Sequence, residues 1–565
     1  MSAVFIRATV DDAFITWRYG RTLVESGVWN FNAEGPLVEG YTNALYAALA
    51  IVPALLGIPV EVFFKVISLG ILAAYVVVVR RMHLPRRQEF LLLAVTVASP
   101  VFLLLLYMGL ETVSFALLIA WLFGILYRKG ELGTTGFLVA GALASTRPEG
   151  IVFAGVAIGW ALLIAPKRAA VKGAAAVLGG WAVYWVARST YFHAFFPNTF
   201  YQKTDSNAEL ASRAVAFLQA FSPVLGVAAL VGLAALVLVR YTQPTQERAS
   251  RLRDAVPLVL ALTSAVLVIG VYKQSHLVMD PVHRFAWQVL FPVVLVALSR
   301  PLRFGTKQPD ETGGEQGSER SGLFGIGVAI ATMIAWDPSA AGVGIVLLFC
   351  AMAVLSCVIV GLVWRDRGAL AVAAAALAVG LGYCQTTEAI NWTAYRYRLQ
   401  YAHEALGGVL STLDFGKMPP GSIAIVDAGV LPYRLPTRVI DMGGLADATV
   451  ARNQVTDGYL DKAGLKMVIF GASTPGVEGI WQNGAATRVH DYVTSHGFWS
   501  AGGPLFDNGY WLNYYVSPDW ATSPEWTGKQ VRQAIDAAAK ESVSHNSKTD
   551  LDIILDNFWN LPFLK

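Results

Sequence analysis

Hydrophobic and polar positions divide the chain into three parts. Residues 1–59 mix aromatic, acidic and apolar positions, 60–385 carry long apolar runs, and 386–565 return to short runs of globular character. In the first part Phe14, Trp17 and Val24, with Ile15, Tyr19 and Leu23, recur at three-to-four spacing. They predict a helix over 11–27 that Gly27 ends. Residues 42–58 are apolar but short, and they stop at Gly57 and Pro59. That length predicts an interfacial or half-buried helix instead of a crossing. Full spans are predicted at 60–79, 89–107, 110–127, 133–147, 151–165, 172–191, 223–240, 255–272, 285–300, 322–336, 341–363 and 369–385. In the last part Tyr395–Leu413 reads as an amphipathic helix. Ser422–Val426, Arg438–Asp441, Lys466–Phe470 and Trp511–Val516 read as strands, and Gly528–Lys540 as helix. The pattern predicts a mainly α protein with a polytopic helical membrane domain of about twelve spans. A loop region with interfacial helices (1–59) precedes it, and a soluble α/β domain (386–565) follows it.

Composition supports the membrane reading: 55% of residues are hydrophobic and the mean hydropathy is +0.51. A net charge of only +4 implies no nucleic-acid partner. Cys350, Cys357 and Cys384 all lie in apolar runs, with no disulfide framework and no zinc spacing. Met1–Val10 is too short for a cleavable signal peptide and lacks its apolar core. Residues 306–320 read as a flexible cytoplasmic loop.

Basic residues set the orientation. One set of alternate loops holds Arg80, Arg81, Arg86, Arg87, Arg128, Lys129, Lys167, Arg168, Lys172, Arg240, Arg248, Arg251, Arg253, Arg300, Arg303, Lys307, Arg320, Arg365 and Arg367; the other holds Arg147, Lys203, Arg213, Lys273 and Arg284. The positive-inside rule makes the first set cytoplasmic. Had 42–58 been a crossing, every later loop would change sides. The outer face of the plasma (inner) membrane, towards the periplasm or cell exterior, then carries Asp11, Asp12, Glu39, Glu111, Arg147, Lys203, His283, Arg284 and the whole C-terminal domain. No nucleoside triphosphate is available there. An outer Asp11 also predicts a further membrane helix ahead of residue 1, with Met1–Val10 as its stub or exit.

The candidate chemistry starts at Asp11-Asp12. Adjacent carboxylates repel. The pair is either a catalytic base, with or without a cation, or an acidic helix start that complements the helix dipole. Glu111, at the outer end of a span, is a functional candidate by depth alone. Equally it caps the helix that begins near Thr112 or pairs with Arg147. Arg147-Pro148-Glu149-Gly150 interrupts a long apolar stretch and makes either a tight loop or the lining of a polar cavity. Lys203 either holds a phosphate as a point charge or snorkels at the interface. His283 and Arg284 sit at the mouth of a span; Arg284 is either an anchor or, with Lys203 and Arg147, part of a cationic pocket for a lipid-linked phosphate. Trp499, Phe506, Tyr510, Trp511, Tyr514 and Tyr515 make either a sugar-stacking surface or strand core, with core favoured. No Walker loop, dinucleotide fingerprint or zinc-protease motif occurs.

An acidic pair in the first outer loop, many spans, a second acidic residue in the next outer loop and a C-terminal outer domain together resemble the GT-C membrane glycosyltransferases. Asp11-Asp12-Ala13-Phe14-Ile15-Thr16-Trp17-Arg18-Tyr19, Val38-Glu39-Gly40-Tyr41-Thr42-Asn43, Gly109-Leu110-Glu111-Thr112, Arg147-Pro148-Glu149-Gly150, Pro197-Asn198-Thr199-Phe200-Tyr201 and Asp441-Met442-Gly443-Gly444-Leu445-Ala446-Asp447 look like the bacterial branch that includes the terminal β-(1→2)-arabinofuranosyltransferases. The resemblance implies a polyprenyl-phosphate sugar donor, in this branch decaprenyl-phosphoryl-arabinose, and an inverting transfer to an envelope glycan. It implies that Asp12 or Asp11 is the base. The candidate substrate-binding residues are Glu39, Tyr41, Asn43, Glu111, Arg147, Asn198, Tyr201 and Asp441 within these motifs, with Lys203, His283 and Arg284 from the cationic-pocket reading. Whether a divalent cation takes part is left open; Asp11, Asp12 and Glu111 are its candidate oxygen ligands. Two other classes compete. A flippase for a lipid-linked sugar needs access from both sides, whereas these charges gather on one face and no internal repeat is visible. A non-catalytic scaffold would bind glycan through its outer domain and tolerate neutral residues at 11 and 12.

Overall fold

The computed structural model describes residues 5–81, 86–129, 131–164, 168–203, 279–298, 389–476, 479–481 and 484–559, with isolated positions between 257 and 269. Those residues form a mainly helical body with several apolar helices, followed by an α/β domain. The spans expected at 223–240, 322–336, 341–363 and 369–385, most of 255–272, the loop 306–320 and the three cysteines lie outside the described residues.

The first helix, α1 (Asp11–Ser26), ends where Gly27 turns left-handed (φ 76°) and its N–H bonds to the Leu23 carbonyl. Its first turns are buried on nearly every side, with Asp12 the exception. Two apolar rows explain this, because the helix is packed from both directions. Trp17 stacks on Phe64 at 4.8 Å, and Phe14 meets Tyr433 of the α/β domain at 5.5 Å. Residues 44–56 form two short helices, α2 (Ala44–Leu49) and α3 (Ile51–Leu56), with Leu55 and Leu56 exposed. At 1.5 Å per residue, neither helix can cross a bilayer.

Three described helices are long and apolar enough to cross a membrane: α4 (Val60–Arg80), α5 (Thr112–Lys129) and α6 (Arg168–Phe192). Val62, Val66 and Leu69 stand exposed along α4, as residues that face lipid would. These features make the chain a multi-pass membrane protein. The single helix expected over 89–107 is two, Arg86–Ala98 and Pro100–Tyr107. Pro100 causes the break: it has no N–H to donate and it forces Ser99 into an extended conformation (ψ 120°). The Ser99 hydroxyl then accepts from the Phe102 N–H. Thr134–Thr146 and Gly150–Ile164 form a hairpin closed by Arg147-Pro148-Glu149.

The α/β domain opens with a helix over 389–410 that contains a π-helical turn, Gln400–Glu404. Six strands follow: β1 (Ser422–Ile425), β2 (Arg438–Asp441), β3 (Leu465–Ala472), β4 (Trp499–Ala501), β5 (Leu505–Asp507) and β6 (Tyr510–Val516). They are ordered β2-β1-β3-β6-β4, with β5 also on β6. β1 is parallel to β2 and β3, and β6 is antiparallel to β3. The carboxyl ends of the parallel strands therefore point one way. Asp427 and Asp441 sit at those ends, where open α/β sheets gather their ligand sites. One apolar core runs without interruption from Trp17 and Phe64 to Ile425 and Leu431. Phe506, Tyr514 and Tyr515 are buried in strand packing, as the core reading expects.

Candidate functional site

Three carboxylates around α1 are each held by an arginine, and the three pairs differ in exposure. Glu39 accepts from Arg188 Nε at 2.8 Å and from its Nη2, with both side chains buried. Glu111 accepts from Arg147 through Oε1 and from Asn43 Nδ2 through Oε2 at 2.6 Å. Asn43 accepts in turn from the Thr16 hydroxyl of α1 at 2.8 Å, and Arg147 also bonds Glu149 at 2.6 Å. The third pair is Asp12 with Arg284, 3.4 Å apart. Arg284 is 7% exposed and Asp12 23%, whereas the acids of the other two pairs are at or below 3%. Arg284 starts the helix Arg284–Leu298, with its guanidinium over the Phe285 ring; its Nε is buried with no hydrogen-bond partner among the described residues.

Asp11 points the other way. Its two carboxylate oxygens accept the N–H groups of Gly429 (3.0 Å) and Val430 (2.7 Å), at the start of the short helix Val430–Arg434. The joint is tight. A Cβ on Gly429 would lie 2.1 Å from the Asp11 carbonyl oxygen, so only glycine fits. Burial pushes the Asp11 carboxyl up to about 7, against the charge of His403; nearby Asp427 adds to the rise. Burial likewise carries Glu39 up to about 7 despite Arg188. Asp441 rises to about 7 in the same way, although it accepts from the Ala446 (2.7 Å) and Gly443 (2.8 Å) N–H groups. Asp441 thus tightens the turn after β2.

The remaining motif residues hold the two parts together. Tyr41 accepts from Trp29 Nε1 at 2.8 Å. Asn198 Nδ2 donates to the Gly444 (2.8 Å) and Leu445 (3.0 Å) carbonyls, and the Asn198 N–H donates to the Glu39 carbonyl at 2.8 Å. The Tyr201 ring lies under the Arg452 guanidinium. The side chains of Lys203 and His283 lie outside the described part of the structure.

The residues suggested for a cation do not converge. Both oxygens of Asp11 are bound by backbone amides, and both oxygens of Glu111 by Arg147 and Asn43. Among the described residues no three acidic, histidine or cysteine side chains group as metal ligands. This donor set does not fit a metal.

Several polar residues at the site escaped the sequence reading. Arg188, partner of Glu39, lies inside a run read as a span, and a lone arginine there was the available signal. Glu61 on α4 bonds Arg396 through both oxygens at 3.0 Å, which ties the membrane helix to helix 389–410. His403, on the π-helical turn, bonds Asp427 Oδ2 at 2.7 Å, and the Tyr510 hydroxyl donates to the same oxygen. These contacts join residues far apart in sequence, so no local pattern announces them.

A sequence-family profile described as a domain of unknown function (DUF8728) matches residues 393–527. No curated protein sequence matches the chain. Among solved structures the chain is similar to the crystal structure of ArnT from Cupriavidus metallidurans bound to undecaprenyl phosphate, at 15% identity and a TM-score of 0.47, covering 91% of this chain and 96% of that one. The apo crystal structure of the same protein matches at 15% identity and a TM-score of 0.46, covering 91% and 95%.

Proposed function

We propose that the chain is an inverting membrane glycosyltransferase of the GT-C type. It moves a sugar, arabinofuranose by the sequence motifs, from a polyprenyl-phosphate donor such as decaprenyl-phosphoryl-arabinose to an envelope glycan on the outer face of the membrane. The observation that carries the reading is the Asp12–Arg284 pair. Unlike the Glu111–Arg147 and Glu39–Arg188 pairs it is partly open, and it joins a carboxylate to a buried cation at 3.4 Å. That separation is longer than a charge-assisted hydrogen bond, so the guanidinium retains binding capacity for a phosphate. The six motifs around α1 support the same reading.

In this mechanism Asp12 takes the proton from the acceptor hydroxyl as that oxygen attacks the anomeric carbon. Attack from the face opposite the phosphate inverts the centre. The C–O bond to the lipid phosphate breaks, and Arg284 stabilises the charge that develops on the departing phosphate. Glu111 and Glu39, neutralised by Arg147 and Arg188, are framework: they fix the loops on either side of α1. Asp11 anchors the start of α1 to the C-terminal domain and so orients Asp12.

Kinetics with synthetic donor and acceptor test the assignment. Asp12→Asn keeps shape and removes basicity, so turnover should fall at least about 100-fold with donor affinity retained. Arg284→Gln should weaken donor binding roughly ten- to a hundredfold, the worth of one charge-assisted phosphate contact. An Asp12→Asn enzyme with near-normal turnover would sink the proposal.

A further inference from the structure

A second polar cluster lies on the C-terminal domain, and nothing in the mechanism above uses it. Asp427 follows β1 at the carboxyl end of the parallel strands. Its Oδ2 takes both the His403 Nε2 and the Tyr510 hydroxyl. Its Oδ1 has no hydrogen-bond partner among the described residues, and the side chain is 29% exposed. Burial pushes the Asp427 carboxyl up, but the hydrogen bond and charge of His403 outweigh it and hold the group below the usual carboxylate range. Asp427 is therefore a partly exposed carboxylate fixed in direction through one oxygen.

Beside it stands an exposed aromatic ring. Trp481 is 39% exposed and its indole lies 4.5 Å from the Tyr510 ring. The Trp481 backbone is tied to β3. Ile480 bridges to Ala472 of β3, and the Trp481 N–H donates to the Gly471 carbonyl at 3.0 Å. The indole then lies over Gly471, where a Cβ would come within 2.7 Å of it. Tyr510 thus touches Trp481 with its ring and Asp427 with its hydroxyl. Fixed carboxylates accept strong hydrogen bonds from hydroxyls, and an indole offers an apolar face beside a polar edge. A chain of sugar residues presents both partners, hydroxyl edges and C–H faces. A phosphate would be repelled by Asp427.

We infer that Asp427, Tyr510 and Trp481 form a subsite for a neutral oligosaccharide, which holds the acceptor glycan while its terminal residue reaches Asp12. The inference rests on the glycosyltransferase reading for the word acceptor, and on the cluster itself for the word saccharide. Continuity supports it: Asp427 lies two residues before Gly429, whose N–H bonds the carboxylate of Asp11, the neighbour of Asp12.

The full chain in nanodiscs, titrated calorimetrically with a linear arabinofuranosyl hexasaccharide, tests this without turnover. Trp481→Ala should weaken binding roughly tenfold, about what one lost aromatic contact costs. Trp481→Phe should restore part of it. Asp427→Asn should weaken it further, and Trp481, at the surface, keeps the test valid if that variant folds poorly. In assays the acceptor KM should rise in Trp481→Ala much more than kcat falls. Equal affinity of wild type and Trp481→Ala for the hexasaccharide, at equal Tm, would overturn the inference and leave the Asp12 mechanism standing. Tryptophan-dependent binding in a protein that transfers no sugar would keep the saccharide site and remove the transferase reading.

Discussion

Neighbouring identical residues have different work to do here. Asp11 and Asp12 leave the helix about 100° apart. One meets two backbone amides of the C-terminal domain and the other meets Arg284. Asn at position 11 keeps one acceptor oxygen and sets an NH2 group against the other amide. We expect Asp11→Asn to cost about 1–3 kcal/mol of stability through that unmatched donor. The pH dependence has a definite sign. Asp11, Glu39 and Asp441 are all raised to about 7 in the folded protein, above their ordinary values. Their contribution is fully present below about pH 4 and is lost as pH rises through about 7. Thermal unfolding in detergent should therefore show Tm falling between pH 5 and 8, and the slope should be shallower in Asp11→Asn. A variant with the wild-type slope would show that Asp11 does not titrate in this range. The sequence singled out the pair as a candidate but not which aspartate faces which way, because that depends on Gly429, more than four hundred positions away.

At the scale of elements, periodicity was legible where a helix has two clear ends. The helix read over 11–27 is observed at Asp11–Ser26, and the run 60–79 is Val60–Arg80. Periodicity failed where backbone chemistry interrupts an apolar run, as Pro100 does within 89–107. It also failed where elements are very short: β4 and β5 have three residues each, below the length at which alternation is readable. The joint between α1 and Val430–Arg434 is the element contact that matters most for the site. Gly429→Ala should open it, since the added methyl meets the Asp11 carbonyl and carboxyl carbon. Overpacking of this kind costs about 1–3 kcal/mol. Hydrogen exchange should rise in residues 11–19 and 427–434 together. Gly458→Ala, in a helix where nothing lies near the new methyl, is the control and should leave exchange unchanged. Protection unaltered in Gly429→Ala would mean that the joint does not orient Asp12.

For the whole molecule, the question is on which side of the membrane the C-terminal domain lies. The mechanism requires the domain and α1 to share a side, and the contacts fix that much: Asp11 to Gly429, Arg396 to Glu61 and Asn198 to Gly444 all join the two parts. The side itself is an expectation from charge. The basic ends of α4 (Arg80) and α5 (Arg128, Lys129) lie together, and Arg128 reaches the Arg81 carbonyl. Glu61 and Glu111, at the opposite ends of the same two helices, lie towards the α/β domain and α1. Basic ends stay in the cytoplasm, so the domain is expected outside. Under the proposed transferase reading that placement calls for a lipid-linked donor, because no nucleotide sugar is available there. Cysteines placed singly at the exposed positions Arg86 and Asp457, with the three native cysteines replaced, give the measurement. A membrane-impermeant maleimide on intact spheroplasts should label the cysteine of Asp457→Cys and spare that of Arg86→Cys until the membrane is permeabilised. Labelling of both, or of Arg86→Cys alone, would move the Asp12 site to the cytoplasmic face and remove the reason for a polyprenyl-phosphate donor.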